Sequence, residues 1–236
     1  MKKLLIDERI RKEEYNYLSQ YFDVIKIPLS QDVYDEISGH SDIFYCQIDN
    51  NVICAPNAPI IEKSFIMGIS KVSKEYPKDV AYNACKIGNI IIGSKYTDKV
   101  IMPNIIVKQG YTKCSICVTS EKSCITTDKN IYEALLKCNL DVTYIQENNI
   151  KLLNKYGEKT KMKGFIGGAS FTFNNNFVLF GDIDMLESKN EILEHLQRNK
   201  LNLVDFKGLD VHDYGGAITY VNCNTKFHEK RLKKVL

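Results

Sequence analysis

The feature that most constrains this chain is internal repetition of a two-strand pattern. A small-residue strand, a polar turn and an apolar return strand recur in FYCQIDNNVICAP from Phe44, YNACKIGNIIIGS from Tyr82, CSICVTSEKSCITTD from Cys114 and GASFTFNNNFVLFGD from Gly168. Their turns carry Asp49-Asn50-Asn51, Gly88-Asn89, Ser120-Glu121-Lys122 and Asn174-Asn175-Asn176, residue types that tolerate the bent backbone of a β-hairpin. A fifth, less complete member, DYGGAITYVNCNTKF, begins at Asp213.

Between hairpins the apolar period changes from two to that of a helix. NIYEALLKCNL at 130–140, ESKNEILEHLQRN at 187–199 and the stretch 11–21 near the N-terminus read as amphipathic helices. Each is followed by a short strand, in FDVIKIP, DVTYIQE and LNLVDF. The second unit has room only for a turn before NIIVKQG, and the lysine-rich stretch 149–163 reads as an elaborated loop. Hairpin-helix-strand units cannot each bury an apolar face alone, whereas five around an axis share one core. The expected fold is an α/β, five-bladed propeller forming a single domain over 1–236, with an irregular α+β domain as the alternative. First hairpin strands would then lie nearest the axis.

Composition narrows the function classes. Hydrophobic residues at 44% and charged residues at 26% fit a folded globule. A net charge of +3, from 32 basic and 29 acidic side chains, gives no electrostatic case for nucleic acid. The basic run FHEKRLKKVL reads as a solvated tail. Apolar residues 4–6 are cut off by Asp7 and Glu8, too short for a signal-peptide core, and no stretch approaches a membrane span. A soluble protein is expected, without a membrane partner. Eight cysteines without an export signal are expected as reduced thiols in the cytoplasm. No cofactor is implied.

Several residues beside the expected inner strands carry chemistry. In SGHSD, His40 and Asp42 stand two apart, which on an extended strand gives both one face, as a proton exchanger and its orienting carboxylate or as turn residues. Lys113 adjoins Cys114 in GYTKCS, and a nearby cation lowers a thiol pKa. Adjacent strand residues face opposite ways, so a bend at Gly110 or the hairpin entry is needed to bring the two together. Cys114 is then the best nucleophile candidate, its other reading being a small buried hydrophobe. Cys114 and Cys117 at an odd offset face opposite ways, so no metal site is expected. Cys46, Cys54, Cys85, Cys124 and Cys138 read as core. The glycine pairs Gly167-Gly168 and Gly215-Gly216 permit close approach of a ligand or of backbone. Asp213 stands before the second pair beside His212, while His195 and His228 read as structural or solvated. His40, Asp42, Asn83, Cys114 and Asp213 are expected to approach one end of the axis.

Taken together, GHSD, YPKDVAYN, GYTKCS, GFIGGAS and HDYGGA resemble an uncharacterised bacterial family assigned to the guanidino-group-modifying, or pentein, fold. The resemblance covers nearly the whole chain and implies the five-bladed α/β propeller. It also implies a cysteine attacking a guanidinium carbon, a histidine moving protons and carboxylates holding the planar cation. His40 is the carried-over histidine. Asp42, Cys114 and Asp213 complete the catalytic set, and Asn83, Lys113, Gly167, Gly168, Gly215 and Gly216 the ligand-binding set. The implied partner is a small guanidino or amidino compound, acted on by a hydrolase or amidinotransferase. Such enzymes usually place the nucleophile after the last double glycine as G-G-x-x-H-C. Here GGAITY puts Thr219 and Tyr220 there, with Cys223 three residues late. Either Cys114 serves as nucleophile, or the site binds a small ligand without covalent chemistry.

Overall fold

A computed structural model of the chain describes residues 1–221. Cys223, His228 and the basic run from Phe227 lie outside the described residues. The N-terminal strand β1 (Lys3–Asp7) carries the apolar run KLLID, whose last four residues are buried. Helix α1 (Lys12–Leu18) leads to β2 (Asp23–Ile27), which pairs with β1 in parallel. Helix α2 (Ser41–Phe44), a single turn, opens directly into the hairpin β3 (Tyr45–Ile48) and β4 (Asn51–Cys54), turned at Asp49 with φ +56. Strand β5 (Ile66–Met67) joins β4 in parallel.

The same order recurs downstream. Hairpin β6 (Cys85–Ile87) and β7 (Ile90–Ser94) is joined in parallel by β8 (Ile105–Val107). Hairpin β9 (Ile116–Ser120) and β10 (Ser123–Thr126) is followed by α3 (Lys129–Leu136) and the parallel β11 (Asp141–Tyr144). The Asp128 carboxylate accepts from the Ile131 amide and caps α3, while Ile131 and Leu135, four apart, are buried. After β12 (Lys151–Leu153) and β13 (Lys159–Lys163) comes the hairpin β14 (Ser170–Phe173) and β15 (Asn176–Leu179), then α4 (Lys189–Arg198) and the parallel β16 (Asn202–Val204). The last strand, β17 (Ile218–Tyr220), pairs antiparallel with β1, setting Leu5 opposite Ile218.

The expectation of a five-bladed propeller is corrected by the sheet topology. Strands β1 to β17 form six small, separate sheets of two or three strands, and no closed barrel or propeller is found among the described residues. Ladder hydrogen bonding stops at the second or third strand of each sheet. Helices cross over only in the units containing α1, α3 and α4, so hairpin-helix-strand is not the common unit. The stretch expected as a loop forms the sixth sheet: Thr160 and Met162 alternate with lysines, and β13 pairs with β12. The Asp213 segment holds one strand rather than a hairpin among the described residues, and that strand's partner is the other end of the fold.

Four apolar clusters fill the spaces between the sheets, the largest running from Leu5 and Ile27 through Phe44, Tyr45 and Tyr82 to Ile218 and Tyr220. His195 of α4 is fully buried, with Nε2 2.8 Å from Thr119 Oγ1 and Nδ1 2.8 Å from Thr143 Oγ1, a structural role. No helix among the described residues is long and apolar enough to cross a membrane. Because Leu5 is fully buried where β1 meets β17, Leu5→Ala should lower unfolding free energy by about 3 kcal/mol. Equilibrium urea unfolding measures it, and a loss too small to resolve would mean that this junction does not hold the fold.

Candidate functional site

Five loops, four ending just before the first strand of a sheet and the fifth just before β17, converge on one buried cluster. SGHSD does not run as an extended strand: His40 occupies the position before α2 without a side-chain capping bond, and Asp42 lies inside its single turn. The helical turn nonetheless buries both side chains, at 1% and 2% exposure. Asn83 ties the next two loops to it. Its Nδ2 donates to the Asp42 carbonyl and to Cys114 Sγ, both at 3.1 Å, and its Oδ1 accepts from the Cys114 amide at 3.0 Å. The Cys114 thiol in turn donates to Asp42 Oδ2 at 3.0 Å.

Asp213 completes the cluster from the far end of the sequence. Its Oδ2 accepts from the Phe165 amide at 2.8 Å, its Oδ1 from the Gly215 amide at 2.9 Å, and Oδ1 lies 3.7 Å from His40 Nδ1. Lys113, half-buried, donates its ammonium to the Gly167 carbonyl at 2.8 Å. The glycines expected to face a ligand face protein instead. A Cβ on Gly168 would lie 1.9 Å from Asp213 Oδ1, and one on Gly215, at φ +72, would lie 2.4 Å from the His40 Cβ. Gly167 abuts the Ile116 carbonyl and Gly216 the Gly167 carbonyl.

Burial governs the ionisation of this cluster. It pushes Asp42 up to about 6, with Lys113 and the Cys114 hydrogen bond opposing. It pushes Asp213 up to about 7, aided by the charge of Asp42. The Cys114 thiol is raised well above its ordinary value by burial and by both carboxylates. The His40 imidazole is held well below its usual value by burial and by the cations Arg9 and Lys113. Burial works against the Lys113 cation, yet Asp42 and the surrounding thiols leave its pKa raised. The expectation that Lys113 populates a Cys114 thiolate is therefore reversed, because burial, with the Asp42 and Asp213 carboxylates adding to it, outweighs the cation. Asp42 Oδ1 and both His40 nitrogens are buried without a hydrogen-bond partner.

Other sequence candidates fall elsewhere. Cys117 packs in an apolar cluster, as do Cys46, Cys85 and Cys124, whereas Cys54 and Cys138 are half-buried. His212 pairs with the Tyr214 hydroxyl, itself bonded to Glu14, and does not join the cluster. No group of metal-ligating side chains is found among the described residues. The sequence reading missed Asp7 and Arg9: Arg9 grips the Asp7 carboxylate through Nε at 2.9 Å and Nη2 at 2.5 Å, and donates to the carbonyls of Asp35, Glu36, Leu153 and Asn154. A carboxylate ending a fully buried apolar strand was the available signal.

A cavity of about 380 Å³ lies between the sheets. One strand from each three-stranded sheet contributes to its wall, namely β3, β6, β9, β14 and β17. Asp42 and Lys113 bound it at the strand starts, and Asp49, Gly88 and Glu121 at the hairpin turns.

Comparison with known families supplies a single decisive finding, a family model matched by residues 5–218. The chain belongs to DUF6873, a family of unknown function. No curated protein matches it. The DUF6873 match carries no link to the guanidino-group-modifying fold. It does run from β1 into β17, so every member of the buried cluster lies within the region that defines DUF6873.

Two expected outcomes follow from the electrostatics. Asp42 stays protonated in the fold up to about pH 6, whereas its unfolded counterpart ionises near pH 4, so the fold binds the extra proton and stability falls as pH rises through that window. Asp42→Asn should remove this fall, gaining roughly 2–3 kcal/mol on the parent between pH 4 and pH 8. Melting temperatures across that range read it, and a constant offset would refute the assignment. In ultraviolet difference spectra between parent and Cys114→Ser, thiolate absorbance should emerge only above the ordinary thiol range. Introducing Asp42→Asn should bring it to lower pH; an unmoved titration would show that the carboxylate does not control the thiol.

Proposed function

We propose that this protein is a cysteine-dependent hydrolase or amidinotransferase acting on a small guanidino or amidino compound. One observation carries the reading. The Cys114 thiol sits 3.0 Å from Asp42 Oδ2, while Asp42 Oδ1 and both nitrogens of the neighbouring imidazole are buried and unpartnered. An unsatisfied buried carboxylate oxygen is costly, and a planar cation offering N–H groups relieves that cost through charge-assisted hydrogen bonds.

The cation would also change the chemistry of the thiol. A positive charge between Asp42 and Asp213 offsets the two carboxylates that raise the Cys114 pKa. The thiol proton passes to Asp42, and the thiolate attacks the central carbon, forming a C–S bond. Collapse breaks one C–N bond, and the leaving nitrogen departs as an amine or ammonia after taking that proton. Water then attacks the S-amidino group. The neutral His40 takes the water's proton, the thiolate departs, and a urea-type product leaves. An amine in place of water gives amidino transfer. Asn83 orients the thiol throughout, and the seven free cysteines among the described residues support a reducing, cytoplasmic setting.

A second reading is favoured by the same thiol being protonated at rest: a binding protein that holds the cation without reacting. Released ammonia and urea-type products, measured over a panel of guanidino compounds, separate the two. Cys114→Ser should reduce turnover by about a thousandfold or more. Equal turnover in both proteins would exclude Cys114 as nucleophile. Absence of turnover, with thermal stabilisation by one compound that Asp42→Asn or Asp213→Asn weakens, would establish the binding reading.

A further inference from the structure

Cys114, His40, Asn83 and Asp213 are each at most 2% exposed, so a ligand needs a passage to them. Beside the strand starts, the rings of Tyr76, Tyr111 and Phe165 stand in a row with centroids 6.2 and 6.3 Å apart, and the Phe165 backbone is bonded to Asp213. That side is covered by aromatic side chains. On the other side lies the cavity, which reaches Asp42 and Lys113 directly.

We propose that this cavity is the binding site of a small hydrophilic organic cation, which enters between the hairpin turns and brings its cationic head to Asp42. The proposal rests on the reading of Asp42 as the acceptor of a planar cation. Half-buried Gln47, Lys86, Val118, Thr172 and Thr219 come one each from β3, β6, β9, β14 and β17, and all of them but Val118 are polar. Two buried oxygens in this lining, Asp42 Oδ1 and Thr172 Oγ1, have no hydrogen-bond partner. Both are acceptors placed for a ligand's N–H groups. Charge points the same way. Asp42, Asp49 and Glu121 outnumber Lys86 and Lys113, and Lys86 is already paired with Asp49. A volume of about 380 Å³ is at the small end of the range of roughly 300–1,000 Å³ for small-molecule sites.

Plugging the cavity without touching the cluster tests this. Thr219→Trp and Val118→Trp place a bulky ring in the wall, and Thr219→Gln intrudes less should either fail to fold. Guanidinium at low concentration, methylguanidine and agmatine serve as probes, read by thermal shift and by product release, alongside Cys114→Ser. The parent should be stabilised by at least agmatine, and in a folded plugged variant that shift should disappear, with kcat/KM falling at least tenfold. Folded plugged variants that bind and turn over the probes like the parent would overturn the proposal; the catalytic reading would stand if Cys114→Ser still abolished turnover. Binding equal in parent and Cys114→Ser, without turnover and lost on plugging, would uphold the cavity site and defeat the catalytic reading. A parent stabilised by none of the probes would defeat both.

Discussion

Desolvation is the constraint on which the centre of this protein depends. Four ionisable groups, His40, Asp42, Cys114 and Asp213, are each at most 2% exposed, and burial is the largest influence on each of them. In water a thiol beside a lysine would incline towards thiolate. Here burial and two nearby carboxylates keep the proton on the thiol, while burial and the cations Arg9 and Lys113 keep the imidazole neutral. The thiol and the imidazole are thus held neutral beside the Lys113 cation and the Asp42 carboxylate.

Such a cluster persists only because the backbone around it is over-determined. Asn83 spends its side-chain amide on Asp42 and Cys114, fixing two loops against each other. The carboxylate of Asp213 is oriented by two amides, one of them from the 164–168 loop, across a glycine that leaves no room for a side chain. Pairing of β1 with β17 brings the ends of the described chain together, which places Asp213 beside His40. Arg9, sealed against Asp7, ties the end of β1 to four carbonyls in two other segments. The glycines thus serve packing, and within the cluster Asp42 Oδ1 and both His40 nitrogens are left without a hydrogen-bond partner.

Much of the local structure was legible in the residues. Alternation and turn chemistry located four hairpins, and helical periodicity located α1, α3 and α4, because both patterns are properties of short stretches of chain. The lysine-rich stretch misled, since Thr160 and Met162 alternate too sparsely among charges to announce a strand before β12 is beside it. SGHSD misled for a related reason: its backbone turns helically to deliver Phe44 and Tyr45 into the apolar cluster, a demand imposed from outside the segment. The propeller expectation failed at a larger scale, because recurrence of hairpins along the chain says nothing about how the separate sheets are placed against one another.

The sequence by itself determined where four hairpins and the helices α1, α3 and α4 lie, and that His40, Asp42, Asn83, Cys114 and Asp213 stand at or beside strand starts, since these follow from side-chain period and backbone preference within a few residues. Only the tertiary structure decided that each sheet ends at its second or third strand, that Asp213 from one end of the fold reaches His40 near the other, and which groups keep their protons. Those outcomes depend on distances between residues far apart in the chain and on the exclusion of water, and neither quantity exists until the chain has folded.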